Sequence, residues 1–155
     1  MKKAAVIGLG DISKIHIPII ESSPDMVLCA VCDSNPETKE AAPSGTAFYT
    51  DYHEMVEKER PDCVHVCLPH YLHYPVTKEL VEMGCNVFCE KPVALNKEEA
   101  ERFVRLEEAH PEVRITICLQ NRLNESVELL KKLIEGGEYG QVVGTRGIVP
   151  WYRPA

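Results

Sequence analysis

Residues Ala4 to Ser13 read AAVIGLGDIS: an apolar run that breaks at Gly8, repeats glycine at Gly10 and reaches a small residue, Ser13, where GxGxxG has its third glycine. In a strand-to-helix turn each of these positions has a physical job. Gly8 permits the tight turn, Gly10 lets backbone approach a pyrophosphate, and Ser13 is small enough for close helix packing, with the phosphates facing the helix N-terminus. The motif alone is weak; its surroundings strengthen it. A second apolar run, MVLCAVC, ends at Asp33, twenty-five residues after Gly8, where a carboxylate can accept both adenosine-ribose hydroxyls and repel a 2′-phosphate. Asp11 puts a negative charge beside the expected pyrophosphate, so it is expected to face solvent or cap the helix.

Outward from this stretch a strand-then-helix rhythm recurs. KAAVIG precedes a helical stretch from Ile12 to about Ser22, and MVLCAVCD leads into the SNPETKEAAP turn region. TAFY precedes a helix from Asp51 to about Lys58. CVHVCLP precedes one from about Tyr74 to Met83, CNVFCEKP one from about Lys97 to Ala109, and VRITICL follows. Strands of near-continuous Val, Ile, Leu and Cys are those of a parallel sheet covered on both faces. The expectation is a doubly wound α/β domain, with a flavodoxin-like order as the alternative that shares the rhythm. From Leu123 the character changes: NESVELLKKLIEGGEYG reads as an amphipathic helix with a glycine stop, and about Gln141 to Pro150 as one more strand. That predicts a first domain over 1–122 and the start of a second over 123–155. An orphan strand there would add to an existing edge or pair with another copy, giving a homo-oligomer.

Composition narrows the function. With 155 residues, 45% hydrophobic and 26% charged, the chain can bury a core. A formal charge of −7 leaves little attraction for a phosphate backbone, and no apolar run approaches the roughly 20 residues of a membrane span, so neither nucleic acid nor membrane is expected as a partner. Seven cysteines, most of them inside strand-like runs, suit reduced thiols in the cytoplasm better than a disulfide framework. Period-2 alternation places Cys63, His65 and Cys67 on one strand face, but buried thiols explain that run better than a metal site, and no metal is expected.

Two loops carry the remaining chemistry. CLPHYLHYP follows the fourth strand, where Leu68, Pro69 and His70 would flank a dinucleotide and His73 stands near the next helix start. Both histidines are candidates for the cofactor loop rather than general bases. CEKP closes the fifth strand on the rim where the nicotinamide half would arrive. Pro92 stops the ladder and holds Lys91 extended, with a cis Lys91–Pro92 bond an option at a tight turn. Glu90 and Lys91, being adjacent, point to opposite faces and are not each other's salt bridge. A lysine aimed into the crevice can stabilise the alkoxide that develops as hydride departs.

Together GLGDIS, CDSNPE, CLPHYLH, GCNVFCEKPVAL and LQNRLNESVELLKKLIEGGEYGQV resemble the Gfo/Idh/MocA family of glucose-fructose oxidoreductase and inositol dehydrogenase relatives, over essentially the whole chain. The resemblance implies an N-terminal Rossmann domain of an NAD(P)-dependent oxidoreductase acting on a sugar-like or cyclitol substrate. Gly8, Gly10, Asp11, Ile12, Asp33, Ser34 and the Leu68 to His70 region would hold the cofactor, with His73, Glu90, Asn121 and Arg122 close by. Lys91 would match the catalytic lysine, and Glu90 would order the same loop. The family usually carries a polar residue such as Asn where this chain has His70. Asn35 after Asp33 and Ser34 favours NAD, although relatives with a similar aspartate take NADP. Family members carry a second α/β domain that supplies the substrate pocket. The expectation is therefore a cofactor-binding fragment, inactive alone, rather than the alternative of a stand-alone dinucleotide-binding or redox-sensing module.

Overall fold

The computed structural model describes residues 1–148 and 150. The chain divides into two compact units, Met1–Cys118 and Leu119–Ala155. The first contains six strands: β1 (Lys2–Ile7), β2 (Met26–Cys32), β3 (Ala47–Tyr49), β4 (Cys63–Val66), β5 (Asn86–Cys89) and β6 (Ile115–Ile117). All pair in parallel in the order β3-β2-β1-β4-β5-β6. This is the doubly wound order whose strand sequence reverses between β1 and β4, which decides against the flavodoxin-like alternative.

Four helices cross between the strands: α1 (Ser13–Ser22), α2 (Tyr52–Glu59), α3 (His73–Glu82) and α4 (Lys97–Ala109). Residues Pro36–Ala41 of the expected turn region form a short 3-10 helix, started by Asn35, whose side chain accepts from the Glu37 N–H. The sheet is buried on both faces, as its uninterrupted apolar strands require. One cluster gathers Ala5, Ile7, Ala30, Cys32, Val64 and Val66. The other gathers Ala4, Val6, Val31, Ile17 and Ile20. The β1–β2 register shifts between Ala4 and Ala5: Ala4 lies opposite Leu28 and Ala5 opposite Ala30, which leaves Cys29 as an extra residue in β2. The Cys29 thiol donates to the Ala4 carbonyl at 3.2 Å across this irregularity.

The second unit holds a short 3-10 helix, Gln120–Leu123, and α5 (Glu125–Gly136), which ends on Gly137 in the left-handed conformation at φ 67°. Val127, Leu130 and Ile134 lie along one side of α5, and all three are exposed. The strand expected from about Gln141 to Pro150 is corrected here: its described residues, 141–148 and 150, form none, while Val149 lies outside the described residues. A strand needs a partner to close its hydrogen bonds, and the described part of this run has none in the ladders. No described helix is long and apolar enough to cross a membrane.

Candidate functional site at the carboxyl ends of the strands

The turn after β1 is built on a close backbone approach. Gly8 has φ +92°, and a Cβ placed on it would lie 2.5 Å from the Cys67 carbonyl oxygen. Its N–H donates to the Cys32 carbonyl at 2.8 Å, so the turn is fixed from both neighbouring strands. Gly10, by contrast, is exposed and has nothing within 4 Å of such a Cβ, so its backbone is open to approach. Ser13 is buried at 2% exposure and donates from Oγ to the Gly10 carbonyl at 2.7 Å, closing the turn against α1. Asp11 does not cap α1: it is 98% exposed and pairs with Lys14 Nζ at 2.6 Å. That hydrogen bond and the Lys14 charge lower its carboxyl below the ordinary value.

Asp33 joins this turn to the end of β2. Its Oδ2 accepts the Leu9 N–H at 2.8 Å and its Oδ1 accepts the Asn35 N–H at 2.9 Å. A carboxylate has about four lone-pair positions, so both oxygens keep capacity for ribose hydroxyls. Beside Asp33 opens a cleft of about 500 Å³, lined among others by Ile7, Ser34, Leu68 and Leu72. This places Asp33, Ser34 and Leu68 on one crevice at the β1/β4 switch point, while Pro69 and His70 are exposed at the start of the next loop.

His73 sits differently from His70. It is fully buried, and its Nδ1 lies 2.8 Å from the Pro92 carbonyl and its Nε2 2.9 Å from the Leu68 carbonyl. With both nitrogens committed to backbone, His73 ties the loop after β4 to the loop after β5 instead of offering itself to a ligand. The Lys91–Pro92 bond is cis, and the Lys91 side chain is exposed.

Beneath Lys91 lies a buried polar network. Glu90 Oε1 is 3.1 Å from His16 Nε2, both side chains at 7% exposure or less, and Glu90 Oε2 accepts the Lys91 N–H at 3.2 Å. His16 Nδ1 in turn meets His65 Nδ1 at 3.0 Å. Burial pushes the Glu90 carboxyl up, but hydrogen bonds from His16 and Cys118, the His16 charge and the Lys91 N–H outweigh it and hold the carboxyl below its ordinary value. Burial, with a smaller contribution from His16, lowers His65 to about 4. The sequence reading missed His16. Its signal is the 13, 16, 17, 20 spacing of the buried face of α1, where a titratable residue replaces an aliphatic one. The ligand-capable atoms of His16, Glu90 and Cys118 lie within 4.8 Å of one another, so among the described residues these three, and not Cys63, His65 and Cys67, form the close group.

Both shifts have one sign. Glu90 and His65 titrate lower in the folded chain than in the unfolded one, so the unfolded chain binds more protons and stability falls as pH falls. For His65 the loss runs from about 6.5 down to about 4, and for Glu90 it follows as pH drops through the folded value. Thermal unfolding is expected to show a melting temperature that declines steadily over this range; a flat profile there would contradict the arrangement.

Burial also raises the thiols: Cys67 and Cys89 are pushed up to about 12 and Cys63 to about 11, so these sulfurs are not poised as thiolates.

The family model described as "Oxidoreductase family, NAD-binding Rossmann fold" matches residues 2–118. A D-glucoside 3-dehydrogenase of Escherichia coli (strain K12) is 29% identical over 147 residues, covering 92% of this chain and 42% of that protein. An inositol 2-dehydrogenase of Corynebacterium glutamicum (strain R) is 27% identical, covering 94% and 44%. Among solved structures, the WlbA dehydrogenase from Bordetella pertussis, in complex with NADH and UDP-GlcNAcA, superposes with a TM-score of 0.82 at 32% identity, covering 90% of this chain and 44% of its own. The chain thus spans less than half the length of these relatives.

Proposed function

The chain belongs to the GFO_IDH_MocA oxidoreductase family, whose NAD-binding Rossmann domain it contains, and from this premise we propose that it is the cofactor-holding part of a dehydrogenase. The reaction is hydride transfer between nicotinamide and a hydroxyl or keto group of a sugar-like or cyclitol substrate, the substrate class of the glucoside and inositol dehydrogenases it resembles. The observation that carries this reading is the Leu9 N–H to Asp33 hydrogen bond of 2.8 Å, which fixes the glycine turn and the ribose-binding carboxylate as one unit before any ligand arrives.

The residues present fit NAD. Gly10 and Ile12 open the N-terminal side of α1 to the pyrophosphate, and Asp33 and Ser34 take the adenosine ribose. Leu68, Pro69 and His70 flank the dinucleotide. Bound NAD supplies the hydride acceptor. Lys91 is the catalytic residue: its ammonium donates to the substrate oxygen and stabilises the alkoxide character that develops there. Glu90 and His73 act at one remove, by holding the Lys91 backbone and its loop. The buried, unreactive thiols suit a cytoplasmic protein.

Calorimetric titration with NADH tests the assignment. Asp33→Ala is expected to weaken binding roughly ten- to hundredfold, the worth of charge-assisted hydrogen bonds, while Lys91→Ala changes it by less than about threefold. Equal affinity of the Asp33→Ala and unaltered chains would remove Asp33 from the site.

A further inference from the structure

The cleft beside Asp33 has a second layer of acid. Asp51 and Glu79 join Asp33 among its lining residues, and among the described residues neither lysine nor arginine lines it. Strand pairing explains how Asp51 arrives. β3 runs beside β2 with Tyr49 opposite Cys32, and the Asp33 N–H donates to the Tyr49 carbonyl at 3.1 Å, so the chain leaving β3 passes Asp33 on its outer side. Asp51 then caps α2, accepting the His53 N–H at 2.8 Å, which occupies the helix end that would otherwise attract a phosphate.

Glu79, on α3, is held from the opposite side. It accepts from the Tyr52 hydroxyl and lies 2.9 Å from His53 Nε2, while His53 Nδ1 lies 3.1 Å from Asp51. One imidazole therefore bridges the two carboxylates and fixes both at the cleft wall. Their field is felt inside: after burial, Asp33 and Asp51 are what raise the Cys32 thiol, to about 12, and Glu79 and Asp51 contribute to raising the Tyr52 phenol.

We propose that Asp51 and Glu79 are specificity-determining residues that, behind Asp33, exclude a dinucleotide carrying a 2′-phosphate and restrict the cleft to adenosine with a free 2′-hydroxyl. The inference rests on the cofactor reading above and deepens it. A 2′-phosphate brings close to two negative charges to a wall that already carries three carboxylates and offers it no capped-free helix end. Asp33 is thus not the sole discriminator, and replacing it alone leaves the chain selective. Asp51 and Glu79 are 60% and 45% exposed, so solvent screens them and the effect is about tenfold rather than a thousandfold.

The test is titration of the chain with NADH and with NADPH, comparing the unaltered protein with Asp51→Asn, Glu79→Gln and the double variant. Asn keeps the helix cap and Gln keeps the shape of Glu79, so folding is preserved. The double variant is expected to bind NADPH about tenfold more tightly while NADH affinity moves by less than about twofold. Independently of any substitution, raising the salt concentration is expected to narrow the NADH-to-NADPH ratio of the unaltered protein, because it screens a repulsion. NADH binding with NADPH affinity unmoved by the double substitution and a salt-independent ratio would overturn the inference alone. Loss of NADH binding from the unaltered chain would overturn it together with the cofactor reading.

Discussion

Gly8→Ala is expected to cost about 3 kcal/mol or more and to leave little folded protein in mild urea. Two penalties coincide. At φ +92° a residue with a Cβ is strained by about 1–3 kcal/mol before any contact is considered. The added carbon would also stand 2.5 Å from the Cys67 carbonyl oxygen and 2.9 Å from its carbon, and these are backbone atoms that cannot swing away. Cys67 is held in place by its own N–H, which donates to the Ile7 carbonyl at 2.8 Å. With native domains stable by only about 5–15 kcal/mol, such a loss is a large fraction of the whole. Gly10→Ala is the control: with nothing within 4 Å, it should unfold at nearly the same urea concentration as the unaltered chain. Equal midpoints for the two variants would show that the turn is looser than its contacts imply.

Glu90→Ala is expected to be the second severe change, at about 3 kcal/mol or more, because two buried groups lose their shared hydrogen-bond partner at about 1–3 kcal/mol each. His16 would remain at 6% exposure with its Nε2 facing a void, and the Lys91 N–H would lose its acceptor. A fall in melting temperature of about 10 °C or more follows for a domain of this size. Adding His16→Leu to Glu90→Ala should recover part of the loss, since the orphaned imidazole is then gone, and this coupling separates a polar pair from mere packing. Additive losses in the double variant would mean that the two residues stabilise the fold independently.

The parallel sheet, though not its strand order, was legible because apolar runs covered on both faces leave little choice of sheet, and the positions of Gly8, Asp33 and Lys91 were legible because each stands at or just past the end of such a run. The contacts that join the runs were not. Nothing local to the sequence around Ser13–Ser22 says that His16 reaches Glu90, seventy-four residues away, since that pairing exists only once α1 lies across the sheet. His73 was read as a loop residue because its two acceptors, Leu68 and Pro92, come from different loops. The apolar run after Gln141 has the composition of a strand, but a strand is completed by a neighbour, and composition does not supply one.

The extra residue in β2 decides something that the end of the strand cannot. Cys29 and Ala30 both pack towards the same core cluster, whereas Leu28 and Val31 pack towards the other. Strand residues alternate strictly between faces, so one supernumerary position reverses the parity of everything that follows. Counted straight from Met26, Cys32 would turn to the face that Val31 now occupies, and the carboxylate after it would emerge on the wrong side of the turn at Leu9. The orientation of Asp33 is a matter of counting, settled four residues upstream of it, in the body of the sheet.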